Sequence, residues 1–171
     1  MEKQIKNNRA ANTGTHEIVI SRELDAPRAL VWKAWTDPEH IEEWWGPEGF
    51  STEVEELDLK EGGKWRYVMI GQDGKRYPSE GVFKEIVKPD RITSTDEFGE
   101  DFENSASLDL PHGIIVTTLF EDLRGKTELT VRIMHRTAED KKKHQDMGVM
   151  EGWNSSLDCL QEYLENNLTE K

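Results

Sequence analysis

The chain has 171 residues and a formal net charge of −13, with 33% charged and 35% hydrophobic residues. This length suits a single domain with its own hydrophobic core. The acidity disfavours nucleic acid and anionic membrane surfaces as partners, because both are bound by clustered Lys and Arg. The single cysteine, Cys159, excludes an internal disulfide and predicts a reducing, cytoplasmic location.

The N-terminal residues 1–15 are polar, and we expect a flexible tail there, followed by one domain over residues 16–168. The tail lacks the apolar stretch of a signal peptide. No apolar run in the chain approaches the ~20 residues that a membrane-spanning helix needs. We therefore predict a protein without a membrane span.

The first elements are a strand and two short helices. Ile18, Ile20 and Leu24 lie on alternate positions, as in a strand with one buried face. Asp25 is the expected N-cap of the first helix. Asp37-Pro38 begins the second, which the Gly46-Pro47 pair ends.

Six further strand-like segments follow at short spacing, over residues 51–59, 64–70, 81–87, 91–98, 114–120 and 129–133. We expect an irregularity at Glu55-Glu56, and turns at Asp73-Gly74 and Arg124-Gly125. Consecutive strands without intervening helices predict an antiparallel meander. The acidic run from Asp96 to Glu103 is interpreted as an exposed edge or solvated loop.

The C-terminal segment has helical periodicity. Thr137, with Asp140 three residues later, resembles a capping arrangement. Apolar residues then recur at three- and four-residue steps: Met147, Met150, Trp153, Leu157, Leu160, Leu164 and Leu168. This predicts one helix of roughly thirty residues, about 45 Å long. So long an apolar stripe needs the sheet opposite it. The expected fold is α+β, with a curved antiparallel sheet of about six or seven strands around a long C-terminal helix.

Several motifs carry a family resemblance. The segments APRALVWKAWTDPEHIEEWWGPEGF, LDLKEGGKWRYVM and DGKRYPSEGVFKEIVKPDRITSTDEF, with GIIVTTLFEDLRGKTELTVRIMH and GWNSSLDCLQEYL, occur in this order. Together they resemble SRPBCC proteins related to the activator of heat-shock-protein-90 ATPase, over about residues 16–166. The resemblance implies the helix-grip fold of START-like and birch-pollen-allergen-like proteins. It fixes the fold better than the function, because members of this family do different things.

An apolar cavity between sheet and helix is the main candidate site. The predicted lining residues are mostly aromatic or Met, and they are Trp65, Tyr67, Phe83, Met147, Met150, Trp153, Trp45 and Phe50. The same side chains would equally suit a filled core. Which of the two they form decides whether the protein has a ligand site.

The sequence offers no catalytic or metal-binding motif. Its five histidines show neither HxH nor HExxH spacing, so we predict no metal site and no cofactor. His112 and His144 are expected to be solvated, whereas His135 could face either way. There is no GxSxG and no phosphate-binding glycine loop, and we assign no catalytic residue. Charged strand residues that could instead point inward are Asp58, Glu80, Glu85, Arg66 and Arg132.

Three functions follow from these observations. The leading one is binding of an apolar or amphipathic small molecule, for carriage, sequestration or sensing. The second is an enzyme acting on a small hydrophobic or aromatic substrate in the same cavity, although we expect an enzyme less. The third, implied by the resemblance alone, is a chaperone-associated module that stimulates a heat-shock ATPase. The expected assembly is a monomer or weak dimer.

Overall fold

The computed structural model of the chain describes residues 9–11, 16–98 and 111–167. Its strands are β1 (Arg9–Ala11), β2 (Glu17–Leu24), β3 (Ser51–Leu57), β4 (Lys64–Ile70), β5 (Arg76–Val87), β6 (Arg91–Phe98), β7 (Ile114–Leu123) and β8 (Lys126–Met134). Its helices are α1 (Arg28–Thr36), α2 (Pro38–Trp44), α3 (Ala138–Asp146) and α4 (Val149–Asn167). The expected α+β architecture is confirmed. None of the described helices is both long and apolar enough to cross a membrane.

One antiparallel sheet contains all the described strands, in the order β1-β2-β8-β7-β6-β5-β4-β3. Strands β3 to β8 follow one another as the predicted meander, and β2 closes it by pairing with the last strand, β8. The short strand β1 adds an edge to β2 within the segment that we expected to be a tail. The remaining residues of that segment lie outside the described part of the chain.

Local sequence signals explain several turns and bends. The predicted irregularity in β3 is present, as the register with β4 shifts between Val54 and Glu56. The β7–β8 hairpin turns through Arg124 and Gly125, at φ angles of 54° and 90°. Two residues with positive φ are typical of the tight turns that match strand twist. The predicted turn is therefore confirmed.

Helix α1 begins differently from our prediction. Its N-cap is Pro27 rather than Asp25, and no side chain caps it. Proline is suited to this place because its fixed φ matches the start of a helix and it has no N–H to satisfy. Helix α2 does have a capping carboxylate, since Oδ1 of Asp37 accepts from the backbone N–H of Glu39 at 3.0 Å.

The core lies between the concave face of the sheet and the helices. From the helices it includes Leu157, Leu160 and Leu164 of α4, each at most 2% exposed. They face inward residues of β2, β7 and β8, among them Ile20 and Leu129, which are fully buried. Helices α1 and α2 add an aromatic layer to this core. The half of α4 from Leu157 onward is thus held by close packing.

The long C-terminal helix is divided, contrary to our prediction of one continuous helix. Helix α3 ends at Asp146 and α4 begins at Val149, with Gly148 between them at a φ of 86°. A residue in this left-handed region breaks a right-handed helix, and glycine adopts it without steric penalty. The predicted cap is confirmed, because Oγ1 of Thr137 accepts from the N–H of Asp140 at 3.0 Å. Leu168, the last residue of the predicted stripe, lies outside the described residues.

The helix break predicts opposite effects at two glycines. Gly148→Ala should lower the free energy of unfolding by about 1 kcal/mol or more, because Ala is strained at positive φ. Gly152→Ala is the matched control, since it lies inside α4 and a Cβ there meets nothing within 4 Å. It should raise stability by about 0.5–1 kcal/mol through helix propensity. Urea denaturation measures both, and a stabilised Gly148→Ala variant would contradict the described break.

Candidate functional site

Two neighbouring cavities lie between the sheet and the C-terminal helices. The larger has a volume of about 180 Å³ and the smaller about 50 Å³. Trp45, Asp96 and Trp153 border both, so the cavities share one wall. In this wall the Trp45 and Trp153 rings lie 5.8 Å apart, edge to face. The arrangement is one divided space rather than two independent sites.

The larger cavity is lined mainly by apolar side chains. Tyr77, Phe98, Ile114 and Val149 are among them, supplied by β5, β6, β7 and α4. Ser79, Asp96, His144 and Ser156 are the polar residues in the lining. Ligand sites combine mostly apolar walls with a few placed polar groups. The larger cavity has this composition.

Asp96 is the carboxylic side chain at the junction of the cavities. It lies on β6 with Ile92, Ser94 and Phe98 on alternate positions, so all four point to the concave face. Burial, followed by the nearby charge of Glu97, raises the pKa of Asp96 from 3.8 to about 7. Of the residues that the structure describes, none donates a hydrogen bond to this carboxyl group. Asp96 is therefore largely protonated at slightly acidic pH.

His144 belongs to a hydrogen-bonded chain of histidines. Its Nδ1 lies 2.9 Å from Nε2 of His135, whose Nδ1 lies 2.8 Å from the backbone oxygen of His16. Burial, and then the proximity of His135, lowers the pKa of His144 to about 4. Burial also lowers the pKa of His135. Both rings are neutral at physiological pH.

Trp65, a lining residue of the smaller cavity, carries a polar atom that has no partner among the described residues. Nε1 of Trp65 is buried, and among the described residues it finds no hydrogen-bond acceptor. Gly81 makes room for this ring, because a Cβ there would lie 2.7 Å from Nε1 and would overlap the carbonyl oxygen of Thr95. Burial raises the pKa of the neighbouring Tyr67 hydroxyl, so it stays protonated. Both polar side chains therefore keep their protons beside this smaller cavity.

Five of the eight predicted lining residues border the cavities. Trp65, Tyr67 and Phe83 line the smaller one, and Trp45 and Trp153 line both. Their role in ligand binding remains a prediction.

The other three predicted residues lie elsewhere. Met150 packs against the core without bordering either cavity as outlined by the described residues. Met147 is 42% exposed at the end of α3, because the helix break turns it away from the predicted stripe. Phe50 is 38% exposed and borders an outer groove with Gln72 and Tyr77.

Sequence reasoning missed two polar residues of the larger cavity. We had assigned Asp96 to a solvated acidic run. Residues 99–103 of that run lie outside the described part of the chain. Asp96, however, shares alternate strand positions with Ile92 and Phe98, and this spacing indicates the inner face of the sheet. His144 was expected to be solvated because it follows three lysines, and that expectation is wrong. Its pairing with His135 depends on a tertiary contact that no local pattern signals.

The other charged candidates point away from the cavities. Arg66 pairs with Glu55 and Glu80, at 2.7 and 2.6 Å. Glu85 pairs with Arg91, and Arg132 holds Glu17 through two hydrogen bonds.

Among the residues that the structure describes, neither Asp58 nor Cys159 forms a further site. Asp58 lies beside the Gly62-Gly63 turn, where its carbonyl oxygen leaves no space for a Cβ at Gly63. Burial raises the pKa of Cys159, which opposes a role as nucleophile. Within the described ranges, no three His, Cys, Asp or Glu side chains are placed to hold a metal ion.

Comparisons with known proteins agree with this architecture. A family model described as Activator of Hsp90 ATPase homolog 1-like protein matches residues 25–165. A crystal structure of a protein from Mycobacterium smegmatis is 28% identical, with a TM-score of 0.78, and the match covers 95% of this chain and 99% of that one. A solution structure of a protein from Arthrobacter aurescens is 26% identical, with a TM-score of 0.81 and coverage of 94% and 96%. No curated protein matches the sequence.

The raised pKa of Asp96 predicts a pH-dependent stability difference. Above its ordinary pKa of 3.8 the unfolded chain releases this proton, whereas the folded chain retains it until about pH 7. The folded state then binds more protons, so the contribution of Asp96 to the free energy of unfolding falls as the pH rises through this window. Above it, both states are ionised and the loss is constant.

Asp96→Asn removes this titration. Its stability relative to the wild type should therefore improve between about pH 4 and pH 7, by at most about 4 kcal/mol. Urea denaturation across this range measures the difference. Ser79→Ala, which changes a neutral residue of the same cavity, is the control and should differ from the wild type by a constant amount. A constant difference for Asp96→Asn as well would refute the raised pKa.

Proposed function

The chain belongs to the family of Activator of Hsp90 ATPase homolog 1-like proteins, and we propose that it binds one small apolar or amphipathic molecule in the cavity beside Trp45 and Trp153. The observation that carries the proposal is a space of about 180 Å³ bordered by mainly apolar residues. An apolar protein cavity of about 150 Å³ is sufficient to bind benzene. In the cytoplasm, the protein would thus carry, sequester or sense a compound of about the size of a single ring.

The aromatic wall supports this proposal. Trp45 contacts the ring of Tyr67 edge to face at 5.0 Å, and Trp153 stacks on Trp35 at 6.1 Å. Tryptophan rings held by other rings present preformed apolar surfaces, so little side-chain entropy is lost when a ligand packs against them. Edge-to-face and stacked contacts would extend to an aromatic ligand. Aromatic compounds are therefore the preferred ligand class.

A second candidate function, catalysis on such a ligand, is favoured by Asp96. A carboxyl group whose pKa is about 7 is suited to donate or accept a proton near neutral pH. Any compound found to bind should be incubated with the protein and examined for conversion by mass spectrometry. Asp96→Asn should then retain binding but lose conversion, whereas unchanged compounds would leave binding as the function.

Binding is tested with toluene and phenol as probes. Each should raise the melting temperature, since a ligand at 100 times its Kd stabilises the folded state by about 2.7 kcal/mol. In NMR spectra the indole N–H signals of Trp45 and Trp153 should shift on titration. Trp44 is an internal control, because its Nε1 donates to the backbone oxygen of Ala34 at 2.9 Å, away from the cavity. Its signal should stay in place.

A filled cavity should abolish this response. Ser156 is 8% exposed and borders the larger cavity from α4, so Ser156→Leu places a bulky side chain inside it. Glu162→Leu makes the same kind of change at an exposed position of the same helix. The first variant should lose both probes and the second should bind them as the wild type does. Undiminished binding by Ser156→Leu would contradict the proposed location.

A further inference from the structure

Two titratable polar side chains, Asp96 and His144, reach the larger cavity from different elements. Asp96 reaches it from β6, and His144 reaches it from α3. Phe98, the next inward residue after Asp96, has its ring 5.9 Å from the ring of His144. The two polar side chains therefore reach the same cavity on either side of Phe98, and Trp45 and Trp153 supply apolar surface there. A ligand with an apolar body and one polar group would match this combination.

The histidine chain determines which atom His144 offers. The backbone oxygen of His16 can only accept, so Nδ1 of His135 is the donor in that 2.8 Å bond. Since neutral His135 has one N–H, its Nε2 must accept from Nδ1 of His144 at 2.9 Å. The proton of neutral His144 is thereby placed on Nδ1. Its Nε2 bears a lone pair and is the ring nitrogen left for a ligand.

Asp96 offers the complementary group. Its pKa of about 7 keeps the proton on the carboxyl group in mildly acidic solution, so it has an O–H to donate. Tyr77 on β5 is the other titratable residue in the described part of the lining, while Glu97 lies next in β6 and adds to the raised pKa of Asp96. The cavity thus pairs a donor at Asp96 with an acceptor at His144.

We propose that this cavity is selective for a neutral ring compound bearing one hydroxyl group, an inference that rests on the proposed function. The hydroxyl would donate to Nε2 of His144 and accept from Asp96. One hydroxyl can fill both roles at once because its oxygen has a hydrogen and two lone pairs. A hydrocarbon would exclude water from both protein groups without giving either a partner, which is unfavourable.

The same arrangement disfavours anionic ligands. A carboxylate would place its negative charge against the lone pair of His144, with no basic side chain in the described lining to balance it. In mildly acidic solution, where Asp96 and His144 are both uncharged, a neutral hydroxyl therefore fits this cavity better than an anion.

Three probes of similar size separate the two hydrogen bonds. Phenol donates and accepts, anisole can only accept, and toluene does neither. At about pH 6, where Asp96 holds its proton, Kd should fall from toluene to anisole to phenol, by about threefold to tenfold at each step. Benzoate should bind more weakly than toluene. Isothermal titration calorimetry or NMR titration of the Trp153 indole signal provides the four Kd values.

Substitutions at Asp96 and His144 show which residue is responsible for each difference in Kd between the probes. Asp96→Leu should remove the advantage of anisole over toluene, whereas Asp96→Asn, which retains a donor, should keep it. His144→Leu should remove the advantage of phenol over anisole and leave the other step intact. Nitrogen-15 chemical shifts of the wild-type histidines supply a measurement that needs no ligand or variant. They should show the His144 proton on Nδ1.

The outcomes distinguish this inference from the function on which it rests. If no probe binds, the proposed function fails and the inference fails with it. If toluene, anisole and phenol bind equally, the cavity binds ligands but the polar selectivity is wrong. A proton found on Nε2 of His144 would likewise overturn the assigned acceptor while leaving apolar binding intact.

Discussion

The fold depends on burial of the concave sheet face beneath the last helix. Leu157, Leu160 and Leu164 lie at or below 2% exposure, and burying each such side chain stabilises the folded state by about 1.5–3 kcal/mol. Strand β2, near the start of the domain, pairs with β8, the last strand in the chain, and both lie beneath this helix. With that half of α4 fixed, its first turns and α3 can border a cavity without loss of the core.

The cavity places polar groups where the core would exclude them. Asp96 occupies a strand position whose neighbours on the same face are Ile92 and Phe98, and burial raises its pKa to about 7. His144 is enclosed as well, but its Nδ1 is satisfied by His135. A buried polar group that lacks a partner is costly, so a site of this kind gains most from a ligand that supplies one.

The sequence predicted the features that follow from local periodicity. Alternating residues located the strands, and the turn at Arg124-Gly125 and the irregularity near Glu55-Glu56 are present. It failed where two signals conflicted. Apolar residues recur at helical spacing from Met147 onward, which predicted an unbroken helix, although Gly148 can end a helix. Asp96 was interpreted as solvated from the acidity of its neighbours, instead of as inward-facing from its strand position. The contact between His135 and His144 joins two elements that no local pattern connects.

The left-handed residue between α3 and α4 has a geometric consequence for ligand size. His144 lies before this joint and Trp153 after it, so two side chains that border one cavity belong to two separate helices. The spacing between these two side chains depends on the backbone torsions at Met147 and Gly148, which precede the packed residues Leu157, Leu160 and Leu164. Small rotations at this joint would adapt the cavity to ligands of different girth while the rest of the domain keeps its shape.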